Sequence, residues 1–343
     1  MSNWHLTEND VHYESVNTYL DSLQEKYALF TVDPPWHNLS KTIKSSPEQV
    51  FLIHETDKEI LDGFVPEVAG IKKIVGIGGG RAIDSAKYVA LQTGGDFISI
   101  PSVIGADAYI TPVAAIRTDG IVAYLGNKFT DGVVIDTELI RTAPLRLNRA
   151  GIGDIYSTRI SLMDWKYAHD RASAEYDPEI VSEAEKILER LRAERQEIVD
   201  VTDKGIRALV SMHIRLNELQ WPFIAKGRTW PQEGIEHVFF YSLEKVTGRT
   251  FSHGEVLGTG CVIGAYFHDA DHREIMRELD SFGLRYRPKD YGMSFEEFET
   301  AIKRMKATTV AMSSRYEILD DRELSQGEMR QLWDELQSGS GER

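Results

Sequence analysis

At 343 residues with 42% apolar side chains, the chain is long enough to build two hydrophobic cores rather than one. Its 54 acidic against 39 basic residues give a formal net charge of −15, which repels phosphate backbones and anionic lipid surfaces, so neither nucleic acid nor membrane is an expected partner. With one cysteine, Cys261, there is no internal disulfide to form and no thiolate cluster, so any metal must be held by histidines and carboxylates.

In chain order, the first stretch, MSNWHLTENDVHYE, has no apolar core behind a basic flank. No apolar run of about 18 residues occurs later either, and the reading is a cytoplasmic protein. Up to about residue 145, short β-rich runs alternate with polar or helical stretches: YALFTV (27–32), QVFLIH (49–54), KKIVGIG (72–78), DFISIPS (96–102) and DGVVID (131–136). That alternation is α/β patterning. Beyond it strand signals vanish and long amphipathic stretches take over, as in 182–200, 205–220 and 295–307. The expectation is an α/β domain over 1–145 and a helical domain over 146–343, with a frayed SGSGER tail.

The stretch GIGGGRAIDSAKYVA (76–90) is the least generic part of the first half. KKIVGIG suits a buried parallel strand, and RAIDSAKYVALQTGG suits a helix ending at Gly94 and Gly95, so the glycines form the turn between them. Without Cβ atoms, backbone N–H groups at Gly78, Gly79 and Gly80 can approach a pyrophosphate, and the helix N-terminus adds favourable dipole charge. A tight βα turn without a ligand is the alternative, and the spacing is not the GxGxxG fingerprint of ordinary dinucleotide folds.

Neighbouring residues make the turn more specific. Gly78, Gly79, Gly80, Asp84 and Lys87 spell GGG-x-x-x-D-x-x-K, and the next strand ends in Pro101 and Ser102. This resembles the iron-containing alcohol dehydrogenase and dehydroquinate synthase superfamily. APLRLNRAGIGDIYSTRISLMDWKYAH (143–169), EHVFFYSLEKVTG and FSHGEVLGTG resemble segments of its sn-glycerol-1-phosphate dehydrogenase branch, in the family's order, across roughly residues 25 to 270.

The resemblance implies an α/β N-terminal Rossmann-like domain plus an all-α C-terminal domain, with the active site in the interdomain cleft. It implies one divalent metal on Asp154, His237 and His253; one carboxylate and two imidazoles with a further position open suit catalytic zinc, and iron or nickel are possible with the same donors. NAD would lie on Gly78, Gly79 and Gly80, with Asp84 and Ser102 on the nicotinamide side. Asp33 matches the acid that meets the adenosine ribose, where a carboxylate accepts from two hydroxyls and repels a 2′-phosphate, favouring NAD over NADP. Asp107 is retained from the family's pattern and counts among the catalytic candidates with the three metal ligands. A small-molecule substrate and homo-oligomers are the implied partners.

Plainer readings stand beside these. His237 can be a packed helix histidine, Asp154 a helix N-cap, Asp33 a turn former before Pro34 and Pro35, and Lys87 simply the i,i+3 ion-pair partner of Asp84. Glu255 can orient His253 or serve as a first-turn acid, and the second is preferred. His169, His213, His268 and His272 read as ordinary surface or core histidines. The chain departs from the branch at PSVIGADAYITP, with Gly105 and Ala108 where Ser and Gly are expected, and at GRTWPQEGIEH, which adds Trp230 and Gln232 and keeps Gly234. Lys226 and Arg228 there are candidate anion partners or a solvated helix-end pair. The function expected is a metal-dependent NAD(P)(H) oxidoreductase of a small polyol or polyol phosphate. A dehydroquinate-synthase-like cyclase or lyase with transient NAD reduction and a non-catalytic dinucleotide-binding protein are the alternatives.

Overall fold

Continuous apolar, β-branched runs become parallel strands because both faces of such strands are buried. In the computed structural model of the chain, which describes residues 4, 6–118, 121–224, 226, 229–312 and 315–338, six of them form one parallel sheet. The strands are β1 (Val11–His12), β2 (Tyr27–Thr31), β3 (Gln49–Leu52), β4 (Lys73–Gly78), β5 (Asp96–Pro101) and β8 (Gly132–Val134), in the order β1-β8-β5-β4-β2-β3. β2 sits between β3 and β4, pairing Thr31 with Leu52 on one side and with Ile77 on the other. Leu29, Val75, Ile77, Ile98, Ile100 and Val134 from this sheet share one buried cluster with Val16, Leu20 and Leu139.

All five expected strands are present. Three strands were not anticipated: the short β1 at the sheet's edge, and β6 (Val113–Thr118) and β7 (Ile121–Asn127), which form a separate antiparallel hairpin. β6 alternates buried and half-buried residues, so it lacks the continuous apolar run that marks the others.

The helices of this part are α1 (Val16–Ser22), α2 (Asp33–Leu39), α3 (Lys58–Phe64), α4 (Gly80–Thr93) and α5 (Thr137–Thr142). α4 is buried continuously from Ala82 to Ala90 and stops where Gly94 takes a left-handed conformation, φ 71°, donating its N–H to the carbonyl of Ala90.

From residue 145 on, the described residues contain no strand. The helices are α6 (Leu145–Ala172), α7 (Pro178–Ala193), α8 (Arg195–Val199), α9 (Asp203–Ile224), α10 (Ile235–Thr247), α11 (His253–Phe267), α12 (His272–Ser281), α13 (Phe295–Met312) and α14 (Gln326–Gln337). The amphipathic stretch 182–200 is two helices, because Glu194 at φ −94°, ψ 10° leaves the helical conformation between α7 and α8. Residues divide by contact into two compact units, His5–Asn148 and Met1–Trp4 with Arg149–Arg343. No helix among the described residues is long and apolar enough to cross a membrane. Arg228 and the tail beyond Ser338 lie outside the described residues.

Candidate metal centre and glycine turn

In the unit His5–Asn148 the chain steps from β2 outward to β3 and then returns to lay β4 on the other side of β2. Such a reversal opens a crevice at the carboxyl ends of the strands, where ligands of open α/β sheets bind. The residues at that edge are the ones the glycine motif supplies. Gly78 ends β4, Gly79 is the N-cap of α4 without a side-chain cap, and Gly80 begins the helix. A Cβ on Gly78 would stand 2.7 Å from the Cβ of Ala82, so close packing of helix on strand demands a bare residue there. The first N–H groups of the fourteen-residue α4 face outward at the end of its dipole, an arrangement suited to an anion.

Asp33 opens α2 directly beyond β2, exposed, with His54 Nδ1 3.9 Å from its carboxylate. Arg81 donates to the carbonyl of His54, 2.9 Å, tying the end of β3 to the start of α4. Ser102 is buried beyond β5 and donates its backbone N–H to the carbonyl of Gly78 at 2.9 Å.

Asp84 and Lys87 form a buried ion pair at 2.9 Å, the plainer reading of Lys87. The ammonium also donates to the carbonyls of Ala108 and Val113, at 2.8 and 2.9 Å, so its three protons are all placed. Burial raises the Asp84 carboxyl above its ordinary value although Lys87 pulls the other way. Asp107 starts the short 3₁₀ turn Asp107–Tyr109 that Lys87 fastens through Ala108, and is half-buried.

The second site lies wholly in the unit that begins at Arg149. Asp154 stands in the interior of α6, which starts at Leu145, so it is not the N-cap that Gly-Asp suggested. The glycines of AGIGD serve another purpose. A Cβ on Gly153 would collide with the carbonyl of Gly254, and one on Gly254 with the carbonyl of Ala150. The two helices therefore touch backbone to backbone one residue from Asp154 and one from His253, the first residue of α11. α10 approaches in the same manner, since a Cβ on Gly260 would lie 2.6 Å from the carbonyl oxygen of Glu236, beside His237.

These contacts bring one donor atom each from Asp154, His237 and His253 within 4.8 Å of one another. His253 Nε2 is 3.4 Å from Asp154 Oδ1, and the rings of His237 and His253 are 5.1 Å apart. Phe240 meets His253 edge to face at 4.6 Å and 89°. Asp154 and His237 are buried and His253 is half-exposed, so the group is open on one side. Burial pushes the Asp154 carboxyl up, yet the neighbouring His213 and His253 outweigh it and hold the group well below the carboxylate range. Burial lowers His237 to about 4. One carboxylate and two imidazoles converging on one point, with His237 pushed by burial toward its neutral form, are the donor set of a divalent cation, so these residues fit one.

Two further buried groups touch the triad. His213 on α9 is fully buried, a core histidine as the sequence reading allowed, with Nε2 3.4 Å from Asp154 Oδ2. Glu236 Oε1 is 2.7 Å from His237 Nδ1. Local sequence carries a weak signal for Glu236, an acid preceding a candidate ligand, and none for His213. His268 pairs with Asp164 and His272 with Glu335, each at 2.7 Å, and His169 meets the Ala174 carbonyl. Glu255 is buried in the first turn of α11. Lys226 is paired with Glu175 at 2.7 Å.

A family model described as iron-containing alcohol dehydrogenase matches residues 15–144. Over 98% of both chains the structure is similar to that of a probable glycerol dehydrogenase from Sinorhizobium meliloti 1021, with a TM-score of 0.71 and 19% identity. Glycerol dehydrogenase from Schizosaccharomyces pombe matches at TM-score 0.69 and 18% identity, covering 93% of this chain and 86% of that one. These likenesses establish the fold. In sequence, the glycerol-1-phosphate dehydrogenase of Saccharolobus solfataricus, named for NAD(P)+, is 30% identical over 310 residues, 88% of this chain and 84% of that protein. Its namesake from Sulfolobus acidocaldarius is 30% identical over 298 residues, 84% and 81% of the two chains. The chain belongs to the iron-containing alcohol dehydrogenase family, in the branch that holds these glycerol-1-phosphate dehydrogenases.

Proposed function

We propose that the chain is a metal- and NAD-dependent dehydrogenase that interconverts a small polyol phosphate and its ketone by hydride transfer, with glycerol 1-phosphate and dihydroxyacetone phosphate as the first pair to test. The observation that carries the reading is the convergence of donor atoms from Asp154, His237 and His253 within 4.8 Å of one another. The substrate class and the nicotinamide follow the relatives named above.

Asp154, His237 and His253 would hold the metal, zinc first and iron or nickel with the same donors. When bound, such a cation supplies Lewis acidity toward a substrate oxygen and lowers the pKa of a hydroxyl. The remaining work falls to the chain itself. The N–H groups at Gly78, Gly79 and Gly80 bind the pyrophosphate. Asp33 accepts from the ribose hydroxyls and disfavours a 2′-phosphate, so NAD is preferred to NADP. Asp84 and Ser102 line the nicotinamide side, the first held in place by Lys87. Asp107 lies on the turn that Lys87 fastens and supplies a carboxylate toward the substrate. Homo-oligomer formation belongs to the same proposal and is read by sedimentation.

The test follows oxidation of NADH, monitored as loss of reduced-nicotinamide absorbance, in protein reconstituted with zinc and given dihydroxyacetone phosphate. Steady turnover, abolished by a chelator and restored by metal, is expected. Turnover with dihydroxyacetone but not its phosphate would move the substrate to an unphosphorylated polyol. No turnover with either ketone, NADH or NADPH, would overturn the proposal.

A further inference from the structure

A metal-binding imidazole works only if its second nitrogen carries the proton and its ring is held at the correct angle, and a metal-binding carboxylate only if one oxygen is left to the ion. Both conditions are met in this chain by side chains other than the three candidate ligands. Glu236 Oε1 accepts the backbone N–H of Gly234 at 2.7 Å and lies 2.7 Å from His237 Nδ1. With Glu236 as the acceptor, the contact holds the His237 proton on Nδ1 and leaves Nε2 as the nitrogen free to offer the group it shares with Asp154 and His253. Glu236 is fully buried, so its oxygen is aimed by packing as well as by the Gly234 amide. The start of α10 is itself anchored, because Asp164 accepts the Ile235 N–H at 2.6 Å and meets His268 with its other oxygen.

On the opposite flank, the two oxygens of Asp154 are divided between two histidines: Oδ1 lies 3.4 Å from His253 Nε2 and Oδ2 lies 3.4 Å from His213 Nε2. His213 reaches Asp154 from α9, a different helix from any that carries the triad. It is outside the group of donor atoms lying within 4.8 Å of one another, so it acts through Asp154.

We propose that Glu236 and His213 are positioning residues of the metal centre, Glu236 fixing the tautomer and angle of His237 and His213 fixing the rotamer of Asp154. The assignment rests on the metal reading above. Both side chains come from outside the three ligands and on separate helices, so the centre is braced from two sides.

The experiment is competition of the metal-free protein with a chromophoric chelator for Zn2+, together with the visible absorption of the Co2+-loaded protein. Variants are Glu236→Gln, Glu236→Ala and His213→Gln, each compared with wild type by circular dichroism in the metal-free state. Glu236→Ala and His213→Gln are expected to weaken Zn2+ binding by about 10–100-fold while the metal-free fold is unchanged. Glu236→Gln, whose amide oxygen can still accept from Nδ1, should recover part of that loss and shift the Co2+ bands, because an uncharged acceptor makes His237 a weaker base. Wild-type affinity together with wild-type Co2+ bands in a folded Glu236 variant overturns the assignment of Glu236, and in His213→Gln that of His213. Should Glu236→Ala fail to fold, Glu236→Gln decides. Failure of the wild-type protein to bind either ion would instead strike the metal reading itself.

Discussion

Gly78–Gly80 and the pair Gly153 and Gly254 are both stretches of bare backbone, yet they do opposite things. At the strand-to-helix turn the missing side chains leave N–H groups open at the crevice beside β2. Between α6 and α11 they let two helices press together so that side chains one residue away, Asp154 and His253, converge. The first use leaves main chain exposed, and the second hides main chain so that side chains can meet one another. The difference decides what a substitution at each place removes.

The sharpest way to break the comparison is at the converging side chains. His253→Ala should abolish zinc retention, measured by metal analysis after dialysis, and reduce kcat/KM by at least about a thousandfold, about 4 kcal/mol. Full zinc occupancy with intact activity would remove His253 from the centre. Next comes the support beneath the glycine turn. Lys87→Met leaves the Asp84 carboxyl buried without its ammonium and frees the Ala108 and Val113 carbonyls, so urea unfolding should show a loss of about 3 kcal/mol. An unchanged midpoint and slope would mean that the pair is not what fastens the turn.

Gly254→Ala tests the helix contact itself. The added methyl meets the Ala150 carbonyl, and separation of α6 from α11 should cost about 2 kcal/mol of stability together with a clear loss of metal affinity. Stability lost without any change in metal affinity would uncouple the contact from the centre. The smallest effect is expected at the exposed acid beyond β2. Asp33→Gly should shift the NAD to NADP preference by about tenfold toward NADP, about 1.4 kcal/mol, read from kcat/KM for each cofactor. A constant ratio would remove Asp33 from the ribose.

The same comparison explains what the sequence could convey. Runs such as IVGIG and FISIP are continuous and local, so their strands are readable from composition, and Gly94 marks the end of α4 by its own backbone geometry. The β6–β7 hairpin escapes because its residues alternate and its pairing partner is a neighbour rather than the main sheet. AGIGD looks locally like a helix start, and only the arrival of Gly254 from far along the chain shows that its glycines serve packing. His213 is illegible for the same reason: nothing near it in sequence announces that its ring ends beside Asp154. The three residues taken from motif resemblance do meet in the structure, while the groups that brace them became visible only with coordinates.

Because α11 rests on the main chain of α6 through glycine, the spacing of the ligands is set by the helices and not by the ion. A zinc finger needs its metal in order to fold; here backbone contact between two helices already brings the side chains together. The distance between these donors is thus a property of the helical framework, and any residue that pries α6 from α11 alters it.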